Sequence, residues 1–232
     1  MKAEYVDHMG SDLSIVNAAR VSFDKISSHV YVDEEGNEFE ELVATGLRGP
    51  TTKADDQRLI HYLAKHDHWT PFAHTSITLR MKAPVPIRTQ CFKHKQGLVE
   101  NEESRRYISS TPELFVPEAF RAKPEGSIKQ GSAGIHPKSA YFRGEYAFYC
   151  GLAISLYEEM IADGVCPEQA RFVLPQGVQV NWIWTGNLYA FANFYLKRTD
   201  AHAQKEIQQL AAMVGEVIAP LFPVSWKALT QQ

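Results

Sequence analysis

The sequence predicts an α+β fold in which a mixed sheet packs against long helices within a single domain. Stretches with apolar residues at helical spacing are interspersed with stretches in which apolar and polar residues alternate. Their order lacks the strand-helix-strand regularity of a doubly wound sheet. A chain of 232 residues that is 44% hydrophobic can bury a substantial core and has the usual size of one domain. We therefore expect residues 1–232 to fold as one unit.

The N-terminal part predicts two helices separated by a hairpin. A helix begins at Asp12, whose carboxylate is expected to cap it, and ends near Phe23. The acidic stretch that follows alternates around residues 35–37, which predicts an exposed hairpin within an insertion at residues 26–52. A second helix is expected over residues 55–66.

The middle of the chain predicts one strand and one short helix. Residues 74–85 alternate like a strand. Pro84 and Pro86 then mark the first turn of a helix, because proline is tolerated at early helical positions. We expect this helix to run through the basic triplet at residues 93–95.

The C-terminal part predicts the longest helix of the chain. Residues 121–139 are polar and rich in glycine, proline and serine, so we expect a mobile loop there. Apolar residues then keep a 3.6-residue period over residues 138–163, which predicts a long helix. The remaining elements are a short helix from Pro167 to Pro175, a strand over residues 177–185 and helical sequence over residues 187–219.

Composition and charge exclude several classes of protein. The sequence has no run of about 18 apolar residues and lacks the pattern of a signal peptide, so we expect a cytoplasmic protein. The net charge of −3 gives no global attraction for nucleic acid, so any bound anion must be held by a local group of cations. Cys91, Cys150 and Cys166 lie far apart without CxxC spacing, which fits a reducing compartment and speaks against a zinc or disulfide framework.

The histidine-rich stretch HDHWTPFAH, residues 66–74, resembles a metal cluster only in part. It has no helical HExxH pattern and no accompanying set of cysteine or aspartate ligands. We expect no metal and interpret these histidines as structural.

The stretch KHKQGLVENEESRRY, residues 93–107, concentrates charged and polar side chains. Arg105 and Arg106 beside Ser104 would bind a phosphate through guanidinium donors and a hydroxyl. The basic triplet at its start would neutralise a second anionic group. The alternative is an exposed loop in which acids and bases pair with one another and contribute little.

A later segment, NLYAFANFYLKRTDAHAQ, places Asn187, Arg198 and His202 on one helical face, because eleven and fifteen residues are close to whole turns. Phe191 and Phe194 lie near the same arc, so these polar groups would rise from apolar surface. The pattern favours the wall of a pocket over a solvated face.

Arg171 lies among apolar neighbours in PEQARFVLP. A structural salt bridge explains such a guanidinium as well as substrate binding does. The residues alone leave both interpretations open.

Several blocks of the sequence, taken in order, resemble the flavin-dependent thymidylate synthases. They are MGSDLSIVNAARVSFDK, HDHWTPFAH, KAPVPIRTQCFKHK, NEESRRY, ARFVLP and NFYLKRTDAHAQKEIQQ, and they cover most of the chain. The family's hallmark is Arg-His-Arg, seven residues and then Ser. This chain has Lys93-His94-Lys95, eight residues and then Ser104, so we expect the QGLVE segment to absorb one extra residue in a bulge of the loop. Lysine keeps the charge of arginine but not its planar fork, so bidentate flavin contacts are not assumed here.

The resemblance implies an activity and its cofactors. Such enzymes convert dUMP to dTMP with methylenetetrahydrofolate as carbon donor and FAD, reduced by NADPH, as hydride carrier. None of the three cysteines has an adjacent histidine that would lower its pKa, so we expect a cofactor rather than a thiolate to carry the chemistry. The alternative is a flavin- or nucleotide-binding relative without synthase activity.

The resemblance also implies an assembly and a set of site residues. Members of the family are homotetramers with shared active sites, so we expect oligomerisation, with dUMP and folate as small-molecule partners and with neither nucleic acid nor membrane. Arg198 is expected to be catalytic, because a fixed cation beside a uracil carbonyl stabilises developing enolate charge. The substrate site would be lined by Gln90, Glu102, Ser104, Arg105, Arg106, Arg171 and Arg198. The cofactor site would be lined by Ser22, His68, Thr70, Lys93, His94, Lys95, Asn101, Asn187, Asn193 and His202.

Overall fold

The computed structural model of the chain describes residues 1–32, 37–39, 48–126 and 131–231. Its strands are β1 (Lys2–Met9), β2 (Val30–Val32), β3 (Glu38–Phe39), β4 (Arg48–Thr51), β5 (Ser76–Pro84), β6 (Leu98–Glu102) and β7 (Gln179–Gly186). Its α-helices are α1 (Asp12–Arg20), α2 (Ala54–Lys65), α3 (Val85–Cys91), α4 (Ser139–Ala162), α5 (Pro167–Ala170), α6 (Leu188–Thr199), α7 (Lys205–Ile218) and α8 (Pro223–Thr230). Further 3-10 turns lie at Val21–Phe23, Thr70–His74 and Arg171–Val173. The predicted α+β class is confirmed.

The main sheet has the strand order β1-β5-β7-β6, and every neighbouring pair in it is antiparallel. The prediction of a mixed sheet is therefore wrong. Ile77, Leu79 and Met81 alternate into the core along β5, and Trp182 and Trp184 do so along β7. Such clean alternation belongs to antiparallel sheets covered on one face. β1 forms an edge of the sheet, and its mostly exposed residues give no alternating pattern by which the sequence would predict it.

The core lies between this sheet and a helical layer formed by α2, α6, α7 and α8. Trp184 packs edge-on against Phe191 and Phe194 of α6, with ring centroids 5.2 and 4.8 Å apart. Aromatic pairs in this geometry bury large apolar areas and restrict the orientation of the elements that carry them. One face of α6 is thus fixed on the sheet, and the opposite face is available to line a site.

The capping role predicted for Asp12 is wrong. Ser11 occupies the N-cap of α1, and its backbone N–H donates to Ser14 Oγ at 3.1 Å. The buried Asp12 carboxylate instead accepts hydrogen bonds from the backbone N–H groups of Val224 and Ser225, both at 2.9 Å. These groups belong to the first turn of α8, whose free amides and positive dipole end favour a carboxylate. Asp12 therefore ties the N-terminal region to the last helix.

The helical sequence over residues 187–219 is divided into two helices. α6 ends at Thr199, because Asp200 has a ψ of 139° outside the helical region. His202 lies in the following turn, before α7 begins. The prediction that His202 shares a helical face with Arg198 is therefore wrong.

Two further boundaries bear on the predictions. α3 ends at Cys91, so the basic triplet at residues 93–95 lies beyond the helix, in the turn that leads to β6, and not within it as predicted. β2 pairs with β3 and β4 in a small second sheet, while most of the predicted turn at residues 35–37 lies outside the described residues. Residues 127–130 of the loop at residues 121–139 also lie outside them.

α4 extends over 24 residues, as its period predicts, but buries little of its surface. Its buried residues are Ser139, Cys150 and Tyr157. Large apolar side chains on the same helix stay exposed, namely Tyr141, Phe142, Phe148, Tyr149, Leu152 and Leu156. Exposed apolar surface of this extent is typical of an interaction surface. Within the part of the chain that the structure describes, no helix combines the length and apolar content needed to cross a membrane.

Candidate active site

A cleft of about 830 Å³ lies between the turn that follows α3 and the exposed face of α6. Its lining residues are Trp69, Lys93, His94, Lys95, Gln96, Gly97, Leu98, Asn187, Tyr189, Ala190, Asn193 and Lys197. The volume falls in the upper part of the range of about 300–1,000 Å³ that is usual for small-molecule sites. Five residues predicted for the cofactor site share this cleft: Lys93, His94, Lys95, Asn187 and Asn193.

The turn at residues 95–98 is seated directly on the start of α6. Gly97 has a φ of +73°, and the backbone N–H of Asn187 donates to its carbonyl oxygen at 3.2 Å. A Cβ at Gly97 would lie 2.7 Å from Asn187 Nδ2 and 3.0 Å from Ala190 Cβ. Glycine is therefore required both by the backbone conformation and by the close approach. β6 pairs with β7 in regular register from Leu98 onward, so the expected bulge is not in the strand.

Asn187 occupies the N-cap of α6, where its side-chain oxygen accepts a hydrogen bond from Ala190 N at 2.9 Å. This cap explains why the helix begins at Leu188 and why the side chain of Asn187 is fixed at the cleft wall. From this end, Tyr189, Asn193 and Lys197 follow at intervals of four residues on the cleft side of α6.

Arg198 connects the cofactor side of the predicted site with its substrate side. Its Nε donates to His94 Nε2 at 2.9 Å, and its Nη2 donates to the Gln90 carbonyl oxygen at 3.3 Å. His94 also packs edge-on against Phe194, with ring centroids 5.1 Å apart. Burial, aided by the charges of Arg198 and Lys197, lowers the pKa of His94 to about 4. His94 is therefore a neutral acceptor that orients the guanidinium.

A second group of predicted residues forms what we call the arginine patch: Ser104, Arg105, Arg106 and Arg171. Arg106 Nη2 lies 3.4 Å from Glu168 Oε2, and Arg171 Nε donates to the Glu168 carbonyl oxygen at 3.2 Å. The Ser104 hydroxyl accepts from the backbone N–H of Arg106 at 3.3 Å. Arg105 donates to the Ser110 carbonyl oxygen and lies 6.0 Å from the ring centroid of Tyr157. The salt bridge considered for Arg171 is not seen among the described residues: Arg171 contacts the backbone of Glu168, and it is Arg106 that pairs with the Glu168 carboxylate.

Glu102 lies between the two groups in sequence and pairs with a residue that the sequence analysis missed. Arg88 Nε approaches Glu102 Oε2 at 2.8 Å, with both side chains about a quarter exposed. Burial raises the pKa of Glu102 and outweighs the opposing effect of Arg88. Arg88 lies on α3 two residues before Gln90, whose side-chain amide donates to Gln204 at 2.7 Å.

The remaining predicted cofactor residues do not line the cleft. His68 lines a smaller pocket of about 190 Å³, which shares Trp69, Tyr189 and Asn193 with the cleft. Thr70 is exposed beside Trp69, and Asn101 is exposed on β6. Ser22 is exposed in the turn after α1, and His202 is exposed and bonded to Asp200.

Trp69, Tyr189 and Lys197 line the cleft without having been predicted. Trp69 and Tyr189 face each other with ring centroids 6.1 Å apart, and the Tyr189 hydroxyl donates to Asp67 Oδ1 at 2.7 Å. The interval of four residues from Tyr189 to Lys197 through Asn193 is a signal by which the sequence could have found two of them.

None of the three cysteines is among the residues that line the cleft. Burial raises the pKa of Cys91 to about 12 and also raises the pKa of Cys150. Cys166 is exposed, just before α5. No group of three or more potential metal ligands occurs among the described residues.

Comparisons with known proteins give the class to which this arrangement belongs. The family model of the thymidylate synthase complementing proteins matches residues 4–224. The chain is 33% identical over 225 residues to the flavin-dependent thymidylate synthase of Thermotoga neapolitana, covering 97% of this chain and 88% of that protein. It is 31% identical over 225 residues to the enzyme of the same name from Kosmotoga olearia, covering 96% of this chain and 87% of that protein.

A solved structure of a nucleotide-methylating enzyme is also similar to this chain. The crystal structure of the UMP/dUMP methylase PolB from Streptomyces cacaoi, bound with 5-bromo-dUMP, matches with a TM-score of 0.79 at 28% identity, covering 99% of this chain and 94% of that one. The chain belongs to the thymidylate synthase complementing protein family.

Proposed function

We propose that the protein catalyses the reductive methylation of dUMP to dTMP, with methylenetetrahydrofolate as carbon donor and FAD, reduced by NADPH, as hydride carrier. Family membership and the relatives named flavin-dependent thymidylate synthases support this activity. The structural observation that carries it is Arg198, which contacts both His94 in the cleft and the backbone of Gln90.

The cleft has the chemistry that FAD requires. Exposed lysines at its rim suit a diphosphate, the Asn187 and Asn193 amides suit the polar edge of a flavin ring, and Trp69 and Tyr189 provide aromatic surface. Its volume of about 830 Å³ allows a ligand of this size. When bound and reduced, the flavin supplies the hydride that turns the transferred methylene group into a methyl group.

Arg198 would polarise the uracil ring. Its Nε and Nη2 are engaged by His94 and Gln90, whereas Nη1 forms no hydrogen bond within the part of the chain that the structure describes. A guanidinium held at two of its nitrogens presents the third at a fixed position to a carbonyl oxygen. Preorganised donors of this kind stabilise charge that develops in the transition state.

The arginine patch would bind the phosphate of dUMP. Arg106 and Arg171 share Glu168, but only its carboxylate bears charge, so positive charge remains in excess. Ser104 adds a hydroxyl beside Arg106. Guanidinium groups and a hydroxyl together are well suited to a phosphate dianion.

We further propose that the protein acts as a homotetramer with shared active sites. The arginine patch, Ser22 and His202 are not part of the cleft lining, so one chain holds the predicted site in separate parts. The exposed apolar side chains of α4 support the proposal, because burying them between subunits would be favourable. Free Cys91 and Cys150 are consistent with the reducing cytoplasm as its compartment.

UMP is the second candidate substrate, because the structurally similar PolB is a UMP/dUMP methylase. The test is product analysis with purified protein, FAD, NADPH and methylenetetrahydrofolate, with dUMP or UMP offered in parallel. We expect dTMP from dUMP, and no product when FAD is omitted from protein stripped of flavin. Flavin and nucleotide binding without any methylated product would favour the inactive relative instead. Size-exclusion chromatography with light scattering tests the tetramer, and a monomeric mass would contradict it.

A further inference from the structure

Lys95 lies at the cleft, but its charge is already engaged. Its ammonium group forms an ion pair with Glu100 and lies 5.5 Å from the ring centroid of Phe92. The Glu100 side chain is only 15% exposed, so its carboxylate depends on this cation. Phe92 is itself held by an edge-on contact with Trp182 of the core, with ring centroids 5.7 Å apart.

A second cation beside Phe92 repeats this arrangement. The Arg88 guanidinium lies 5.1 Å from the centroid of Phe92 and pairs with Glu102. Glu100 and Glu102 are two residues apart on β6, so their side chains point to the same face of the strand. The two cation-carboxylate pairs thus form a clamp that joins β6 to α3 and to the turn after α3, with both cations close to Phe92. Lys95 belongs to this clamp.

Two other lysines line the cleft without such partners. Lys93 and Lys197 are both exposed, and neither forms an ion pair within the described part of the chain. Lys197 follows Asn193 by one turn of α6, on the face that lines the cleft. It is also close enough to His94, between Lys93 and Lys95 in sequence, for its charge to lower the pKa of that imidazole.

We propose that Lys93 and Lys197 form the phosphate subsite of the cleft, and that Lys95 has become a positioning residue that anchors the hallmark turn to Glu100. This assignment rests on the proposed function. In this assignment, one of the two phosphate-binding charges is provided by Lys197 in the last turn of α6 and not by Lys95 of the hallmark. A lysine there is also favoured by the negative end of the helix dipole, so it is maintained in the absence of a bound anion.

The test is a titration of flavin-free full-length protein with FAD, followed by flavin fluorescence at several salt concentrations. Lys197→Met and Lys93→Met should each weaken FAD binding about tenfold or more and make it less sensitive to salt, because each removes one charge-assisted contact. Lys95→Met should leave the salt dependence as in the parent protein while lowering the thermal midpoint, since it exposes Glu100 without removing a phosphate contact. Lys205→Met, at an exposed position outside the cleft lining, is the control for net charge.

The outcomes separate this assignment from the function on which it rests. If Lys197→Met binds FAD within twofold of the parent protein, or if Lys95→Met causes the larger loss and the flatter salt dependence, the assignment is overturned and the proposed function stands. If the parent protein itself does not bind FAD, the proposed function fails and the subsite fails with it.

Discussion

The cleft and the arginine patch hold their cations in different ways. Beside the cleft, Arg198 is fixed by the neutral imidazole of His94, which lines it, and by a backbone carbonyl, so its charge is oriented without being neutralised. In the arginine patch, Arg106 lies against a carboxylate, and its side chain is half exposed. Preorganised charge is useful for stabilising a transition state, whereas loosely held charge is sufficient to bind a phosphate. The two regions therefore suit chemistry and binding, respectively.

The largest effect is expected from Arg198→Ala, which removes the oriented charge beside the cleft. We expect dTMP formation to fall by about 10²–10³-fold or more, the usual cost of losing a preorganised donor. FAD binding should change little, because Arg198 is not among the residues lining the cleft. Turnover and FAD titration measured on the same preparation check this. Near-parental turnover with normal dUMP binding would show that the two regions do not differ as described.

Arg171→Ala and Arg106→Ala should act on binding instead. Each removes a charge-assisted contact to the nucleotide phosphate, so we expect KM for dUMP to rise about ten- to a hundredfold with a smaller change in kcat. Steady-state kinetics separate the two constants. Arg58→Ala, an exposed arginine on α2 paired with Asp55, is the matched control. A decrease in kcat without a change in KM would contradict this and show that the arginine patch takes part in the chemical step.

Gly97→Ala tests how the cleft depends on its tight turn. We expect a destabilisation of about 1–3 kcal/mol together with weaker FAD binding, because the methyl group would press Asn187 away from its cap. Gly164→Ala is the control, because Gly164 also has a positive φ, +87°, but a Cβ there meets nothing within 4 Å. Thermal unfolding and FAD titration of both variants measure the difference. If both variants lost the same stability and the same FAD affinity, the effect at Gly97 would be explained by backbone strain alone.

The depressed pKa of His94 predicts a smaller, pH-dependent effect. Its folded-state pKa of about 4 lies below the ordinary value of 6.5, so the unfolded chain binds more protons between these values. The stability that the neutral imidazole contributes is fully present above pH 6.5 and is lost as the pH falls towards 4. Thermal midpoints over this range should decline less steeply in His94→Asn than in the parent protein. His61→Asn, at an exposed position, should keep the parental slope.

Periodicity predicted those elements in which apolar residues recur at a regular interval. β5, β7 and α4 are found close to their predicted bounds, because period 2 and period 3.6 are visible in their apolar residues. β1 lacks such a pattern, since it lies at an exposed edge. Aspartate is a residue type favoured at N-caps, but the amides that the Asp12 carboxylate binds belong to α8, more than 200 residues away in sequence. A local sequence pattern cannot predict a hydrogen-bond partner that is so distant in sequence.

The candidate site was predictable where its residues are close in sequence or share the family blocks. Lys93, His94, Asn187 and Asn193 share one cleft, as the resemblance implies, and their roles stay predictions. The pairing of Lys95 with Glu100 could not be foreseen, because it depends on the turn at Gly97. Arg88 was missed because its carboxylate partner belongs to another element. Residue types are known from the sequence, whereas the tertiary contacts decide which charged side chains remain unpaired and able to bind a ligand.

The central claim is that the chemistry belongs to the flavin cleft and not to a thiolate. The most direct test is the turnover of a variant in which Cys91, Cys150 and Cys166 are all replaced by alanine or serine. Cys91 and Cys150 are buried with raised pKa values, so neither is a ready nucleophile, and their replacement should cost only about 1–3 kcal/mol of stability each. We expect the folded variant to form dTMP at the parental rate with the same requirement for FAD. A fully folded triple variant that binds FAD and dUMP but forms no dTMP would contradict the account and assign the chemistry to a cysteine.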